Sequence, residues 1–157
     1  MHRIPAFTVS ALVVALTLVG CALGRTQHSI ERPWKGLCDV AGPTAIGTPT
    51  TLTGSCDFGA IGRLPLTAVH TVTRTGADFS FVSTVTYTGT NSDQLMTANS
   101  GTATVVNSVA TIVGTETAVG GTGQFKGVTG TAVLTGSVRF TGASGVGKWL
   151  IDGRLKF

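Results

Sequence analysis

From residue 34 onward, apolar and polar positions alternate with a period of two, broken at short intervals by Gly, Pro, Asn and Asp. The C-terminal run is the clearest. Trp149, Ile151, Leu155 and Phe157 share one face, while Lys148, Asp152, Arg154 and Lys156 share the other. That alternation is the mark of a half-buried strand. The run 79–87 repeats it, with Phe79, Phe81, Val85 and Tyr87 on one face. The same pattern predicts strands over 34–40, 50–56, 66–75, 94–106, 108–119, 130–141 and 148–157. Residues 41–49 contain Pro43 and Pro49 and are predicted as loop, since proline cannot donate to a central ladder. An irregular apolar connection is expected over 58–65. Turns are expected at 76–78, 89–93, 107–108 and 142–145.

Gly101-Thr-Ala-Thr, Gly114-Thr-Glu-Thr and Gly130-Thr-Ala-Val recur at spacings of 13 and 16 residues, the length of a strand plus its turn. No helical period follows residue 33. Many short antiparallel strands in one small domain must form a closed barrel or a sandwich. Glycines inside strands (Gly114, Gly136, Gly153) favour the barrel, where they permit sharp curvature. The expectation is an all-β chain: a single antiparallel barrel of about eight strands over residues 34–157.

The stretch 115–134 organises the rest. One alternating run ends at Val119 and another begins at Thr131. Between and around them Gly120, Gly121, Gly123, Gly127 and Gly130 surround a lone aromatic, Phe125. Glycine reaches backbone angles closed to other residues. This reads as a tight corner between two strands, plugged by Phe125.

Composition narrows the class. Charged residues are only 11% of the chain, while Gly and β-branched residues abound, which excludes a disordered polyelectrolyte. The formal net charge is +4, from 11 basic and 7 acidic side chains, but the basic residues are scattered along the domain. Nucleic-acid surfaces show a clustered patch, so no nucleic-acid partner is expected.

The N-terminus changes the address. His2 and Arg3 precede an apolar run from Ile4 to Val19, too short for a comfortable membrane span and typical of an export signal. Leu18-Val19-Gly20-Cys21 resembles the lipobox of bacterial lipoproteins. That resemblance implies removal of residues 1–20, acylation of Cys21 with palmitate-type chains, and anchoring to the cell membrane or the outer membrane. The alternative is an ordinary signal cut after Ala22 or Gly24 and a secreted chain. Residues 21–33 are then a polar tether. Assigning Cys21 to lipid leaves Cys38 and Cys56, which an exported chain favours as a disulfide. A metal site is the sharper alternative, but His28 and His70 have no ligand-like spacing to them, and no metal or cofactor is expected.

The corner also resembles that of the allene oxide cyclase and dirigent families. The shared residues are Gly120-Gly121-Thr122-Gly123, then Phe125, Gly127, and Gly130 opening the next strand. The resemblance implies an eight-stranded antiparallel barrel with an apolar interior, of the kind also found in secreted bacterial proteins. It covers about twenty residues and carries no catalytic residue across.

Candidate chemistry is sparse. Gly142-Ala-Ser-Gly-Val-Gly-Lys148 has the glycine and lysine spacing of a phosphate loop, but Trp149 follows where Ser or Thr is required, and a strand begins instead of a helix. A hairpin turn is expected there. His70 has the parity of Leu66 and Val72, and enters the lumen if they do, as a general base or ligand anchor. Glu116 shares the parity of Ile112 and Ala118, whereas Val109, Val113 and Val119 hold the other. The valine-rich side is expected inward and Glu116 outward. Were Glu116 inside, His70 or Arg74 would be its acid–base partner. Tyr87 ends an apolar face, filling the core or offering its hydroxyl at the barrel mouth.

Three functions fit these observations. The leading one is a lipid-anchored envelope barrel that binds an apolar small molecule, with no enzymatic activity required. A structural or interaction module of the cell surface is the alternative. A cyclase- or isomerase-like enzyme using His70, Glu116 or Arg74 is the third. A binding site requires an unfilled apolar cavity of about 300 Å³ or more.

Overall fold

A computed structural model describes residues 29–157. The expected export segment 1–20, Cys21 and the expected tether as far as His28 lie outside the described residues. Eight antiparallel strands follow one another around a closed barrel in chain order. They are β1 (Glu31–Pro43), β2 (Thr50–Asp57), β3 (Arg63–Thr75), β4 (Asp78–Thr88), β5 (Gln94–Val106), β6 (Val109–Gly121), β7 (Thr129–Thr141) and β8 (Ser144–Lys156). Each pairs with its sequence neighbours, and β8 returns to β1 through thirteen register pairs.

Several strand boundaries differ from expectation, three of them near a proline. β1 takes in Glu31–Pro33 from the predicted tether and Ala41–Pro43 from the predicted loop. β3 begins at Arg63, so Pro65 lies within it. The reason is in the register. Pro33 and Pro43 face only β8, because β1 meets β2 only from Leu37 to Ala41. Pro65 faces only β2, because the β3–β4 register starts at Leu66. A strand with one neighbour at that point loses no ladder bond to proline. β8 likewise starts at Ser144, four residues early, because the turn needs only Gly142 and Ala143.

The two ends of the barrel differ. At one end the connections are the two-residue turns Gly76–Ala77, Asn107–Ser108 and Gly142–Ala143, with the longer segment 44–49. Asn107 and Ser108 both hold positive φ (50° and 61°), the mirror-image turn whose twist suits a hairpin. At the other end three short 3-10 turns, Gly59–Ile61, Thr90–Ser92 and Gly123–Phe125, fold over the opening. Trp34, Phe58, Tyr87, Leu95, Phe125 and Leu155 close it, none more than 4% exposed. Phe58 meets the Tyr87 ring edge-on at 5.1 Å between centroids. Phe125 is the plug the glycine corner predicts. Gly123 stands at φ 55°, and a Cβ there would overlap the Asp93 carboxylate.

β1 and β2 are tied by the disulfide between the register partners Cys38 and Cys56, both fully buried. Phe157, expected on the inner face, lies beyond β8 at the rim. It is 36% exposed under the Arg32 guanidinium, which sits 5.2 Å from its ring centroid.

Candidate ligand-binding cavity

The closed end is filled by buried aromatic and leucine side chains, but the turn end is not. There the interior holds a cavity of about 290 Å³. Its wall takes one or more residues from every strand: Val40, Leu52, Val72, Phe81, Ile112 and Trp149 among them. Segment 44–49 leans over the mouth. Gly47 donates to the Val72 carbonyl (2.7 Å) and Thr44 to the Ala143 carbonyl (2.9 Å), which sets Ile46 into the wall while leaving it 59% exposed. Among the described residues, no charged side chain lines the cavity, and the lining side chains with polar atoms are Thr44, His70, Ser83 and Trp149.

His70 is where its parity with Leu66 and Val72 puts it, inside the barrel and 7% exposed. Its ring lies against the Thr50 hydroxyl, 3.1 Å from Nε2 and 3.4 Å from Nδ1. Burial pulls its pKa below the ordinary 6.5, partly offset by a hydrogen bond from the ring to the Thr50 backbone, and so favours the neutral ring.

Glu116 corrects the expectation. It points inward and is fully buried, while Val113 and Val119 point outward at 55% and 61% exposure. Interior volume decides this. The inner face of β6 carries Ala110, Ile112, Gly114, Glu116 and Ala118, and where Phe81 enters the interior its register row continues through Gly101 and Gly114, which have no side chains. Glu116 Oε1 accepts hydrogen bonds from the Tyr87 and Thr97 hydroxyls, both at 2.6 Å. Desolvation pushes the Glu116 pKa up against these two bonds, and burial together with the adjacent carboxyl pushes the Tyr87 phenol well up. Tyr87 is therefore deep in the closed half, not at the mouth. The anticipated pairing of Glu116 with His70 or Arg74 does not form, since Arg74 lies on the exposed end of β3 with Nε donating to the Gly76 carbonyl at 3.2 Å.

Three buried polar residues escaped the sequence reading: Ser83, Thr97 and Asn99. The signal was present. Ser83 interrupts the apolar face of Phe79, Phe81, Val85 and Tyr87, and Thr97 and Asn99 share the parity of Leu95. Among the described residues, no three His, Cys, Asp or Glu side chains cluster as metal ligands would, and no helix is long and apolar enough to cross a membrane. The chain matches no protein-family model, no curated protein and no solved structure.

Proposed function

We propose that the barrel binds an apolar small molecule in its open end, and that a lipid on Cys21 holds it at the bacterial cell envelope. The cavity carries this reading: about 290 Å³ of space lined by aliphatic and aromatic side chains from all around the wall and open past Ile46. A packed core leaves no such void. It is roughly twice the size of an apolar protein cavity of about 150 Å³ that takes up benzene. The likeness of the glycine corner to allene oxide cyclase and dirigent barrels is in keeping with an apolar interior.

The competing functions have less behind them. Acid–base catalysis needs polar groups converging on the ligand. Glu116 lies outside the cavity lining with one oxygen committed to two hydroxyls, and Arg74 is exposed. A surface interaction module would present a continuous apolar patch. The exposed aliphatics of the outer wall are instead mostly interleaved with polar partners: Val113 faces Thr135, Val133 faces Asp152, and Val146 faces Arg139 on one side, whereas Leu37 against Leu150, Val106 against Val109 and Ala41 against Val146 are apolar pairs.

Native mass spectrometry of the chain from Arg25 to Phe157, made in an oxidising compartment and incubated with envelope lipid extract, tests the binding reading. A discrete small-molecule adduct is expected, lost in Ala103→Phe, which places a ring in the cavity wall. A clean unliganded mass for the unmodified chain would overturn it.

A further inference from the structure

The buried polar residues of the barrel are not scattered. Register pairing joins Thr50 to His70, His70 to Ser83, Ser83 to Asn99 and Asn99 to Glu116. Each pair sits directly opposite across two neighbouring strands, which sets their Cβ atoms about 4.5–5.5 Å apart. The row continues through Ala132 and Gly153 to Trp34. It thus starts at the mouth on β2 and, after one circuit of the tilted wall, arrives at the closed end on β1. A single polar ladder descends from the cavity, where His70 and Ser83 line the wall, to Asn99 and Glu116 beneath its floor.

The lower rungs are incompletely satisfied. Asn99 Nδ2 and Glu116 Oε2 are buried with no hydrogen-bond partner, although their residues face each other. Among the described residues, the one hydrogen bond to the Asn99 side chain is a long one of 3.5 Å from the Thr97 hydroxyl to Oδ1. A buried unsatisfied polar atom costs about 1–3 kcal/mol, so an orphan donor and an orphan acid on adjacent rungs call for an explanation. The row between ladder and cavity floor is thin. Over Asn99 and Glu116 it offers only Gly101 and Gly114, with Leu134 beyond Gly114 and, on the other side of Gly101, Phe81. Its ring packs so closely on Gly101 that a Cβ there would come within 2.9 Å of Cε1.

We propose that this ladder is the polar subsite of the cavity, and that its ligand is an uncharged, mostly apolar molecule carrying one hydroxyl, docked at the His70–Ser83 end. This rests on the binding function proposed above and names its ligand class. Three observations support the choice. Among the described residues, no cation or anion lines the cavity, so a carboxylate or an ammonium would be desolvated without compensation. Register partners about 5 Å apart are bridged by one oxygen making two ordinary hydrogen bonds. A hydroxyl both donates and accepts, which suits a neutral imidazole next to a serine, with the Asn99 amide behind it.

The test is a matched series: naphthalene, 2-naphthol and 2-naphthoate, titrated into the protein as purified from the expressing cell. Trp149, in the cavity wall, serves as the fluorescent reporter, and Ala103→Phe supplies the blank. Naphthol is expected to bind about tenfold tighter than naphthalene or naphthoate, the worth of one well-made hydrogen bond. Ser83→Ala, and separately His70→Phe, should bring naphthol within about twofold of naphthalene measured on the same variant, so that the ratio of the two affinities reads the hydroxyl's contribution alone. Equal affinities for naphthol and naphthalene in the unmodified protein would overturn the subsite while the cavity stands, and would leave the orphaned atoms to water. Naphthoate binding as tightly as naphthol would overturn the requirement for an uncharged ligand. If no probe binds above the blank, the binding function itself falls.

Discussion

Glu116 is a carboxyl group enclosed in a barrel with hydroxyls for neighbours. Removing it from water disfavours its charged form more than the Tyr87 and Thr97 bonds favour it, so its pKa rises above the ordinary 4.5. Between that value and the raised one, the folded chain holds a proton that the unfolded chain has released. Stability therefore falls as pH climbs through this window and then levels off. Glu116→Gln keeps an oxygen for Tyr87 and Thr97 but cannot ionise. Its unfolding free energy relative to the unmodified protein is expected to grow with pH above 4.5. Urea unfolding from about pH 4 to about pH 9 measures the difference, and curves that run parallel would refute the burial argument. The inward direction of Glu116 was hidden from the sequence because counting apolar residues per face favours the valine side of β6. What the count omits is the space already taken by Phe79, Phe81 and Tyr87, so the face of β6 with the small residues Ala110, Gly114 and Ala118, alongside Ile112 and Glu116, turns in while Val113 and Val119 turn out.

At the level of elements, β2 is the weak member. It has eight residues, and only five register pairs hold it to β1. The Cys38–Cys56 bridge closes a separation of 18 residues at this seam, worth about 3 kcal/mol in the chain-entropy account. Reduction should lower the urea midpoint by a corresponding amount, and amides of β2 should be the first to gain hydrogen exchange. An unchanged midpoint after complete reduction would show that the seam holds without the bridge. The pairing was legible from cysteine arithmetic in a chain read as exported. The lengths of β1 and β3 were not, because a proline's tolerance depends on whether its strand has one neighbour or two at that point. That is settled by the stagger of the strands, which no local pattern records. The glycine corner was legible because Gly123 is fixed by its own backbone angle and by the side chain it must clear.

At the scale of the molecule, closure depends on β1 meeting β8 in one register. Lys35 with Asp152 (3.2 Å), Asp39 with Lys148 (2.7 Å) and Glu31 with Lys156 (3.1 Å) are all ion pairs between direct register partners across that seam. Lys148 holds the Asp39 carboxyl below its usual range. Exposed pairs of this kind add little stability. Their consequence is that a slipped register would set the charges out of step, since a one-residue slip turns every side chain to the opposite face. The whole protein also has an address to be tested. If Cys21 is acylated, Cys21→Ser should move the chain from the membrane fraction to the soluble one. A chain that is already soluble with Cys21 intact would mean secretion without an anchor.

The sequence by itself determined the all-β class, the order of the strands, the hairpin turns, the plugged corner and the cysteine pair. These rest on period-two alternation and on residues whose chemistry acts within a few positions. Only the tertiary structure decided which face of β6 is inner, that one end of the barrel stays unfilled, and that His70, Ser83, Asn99 and Glu116 stand in one row. Those four are 13, 16 and 17 residues apart, and no period links them. They align because closing the barrel fixes the stagger of every strand at once. A cavity is likewise a property of the summed side-chain volumes against the space the closed wall encloses.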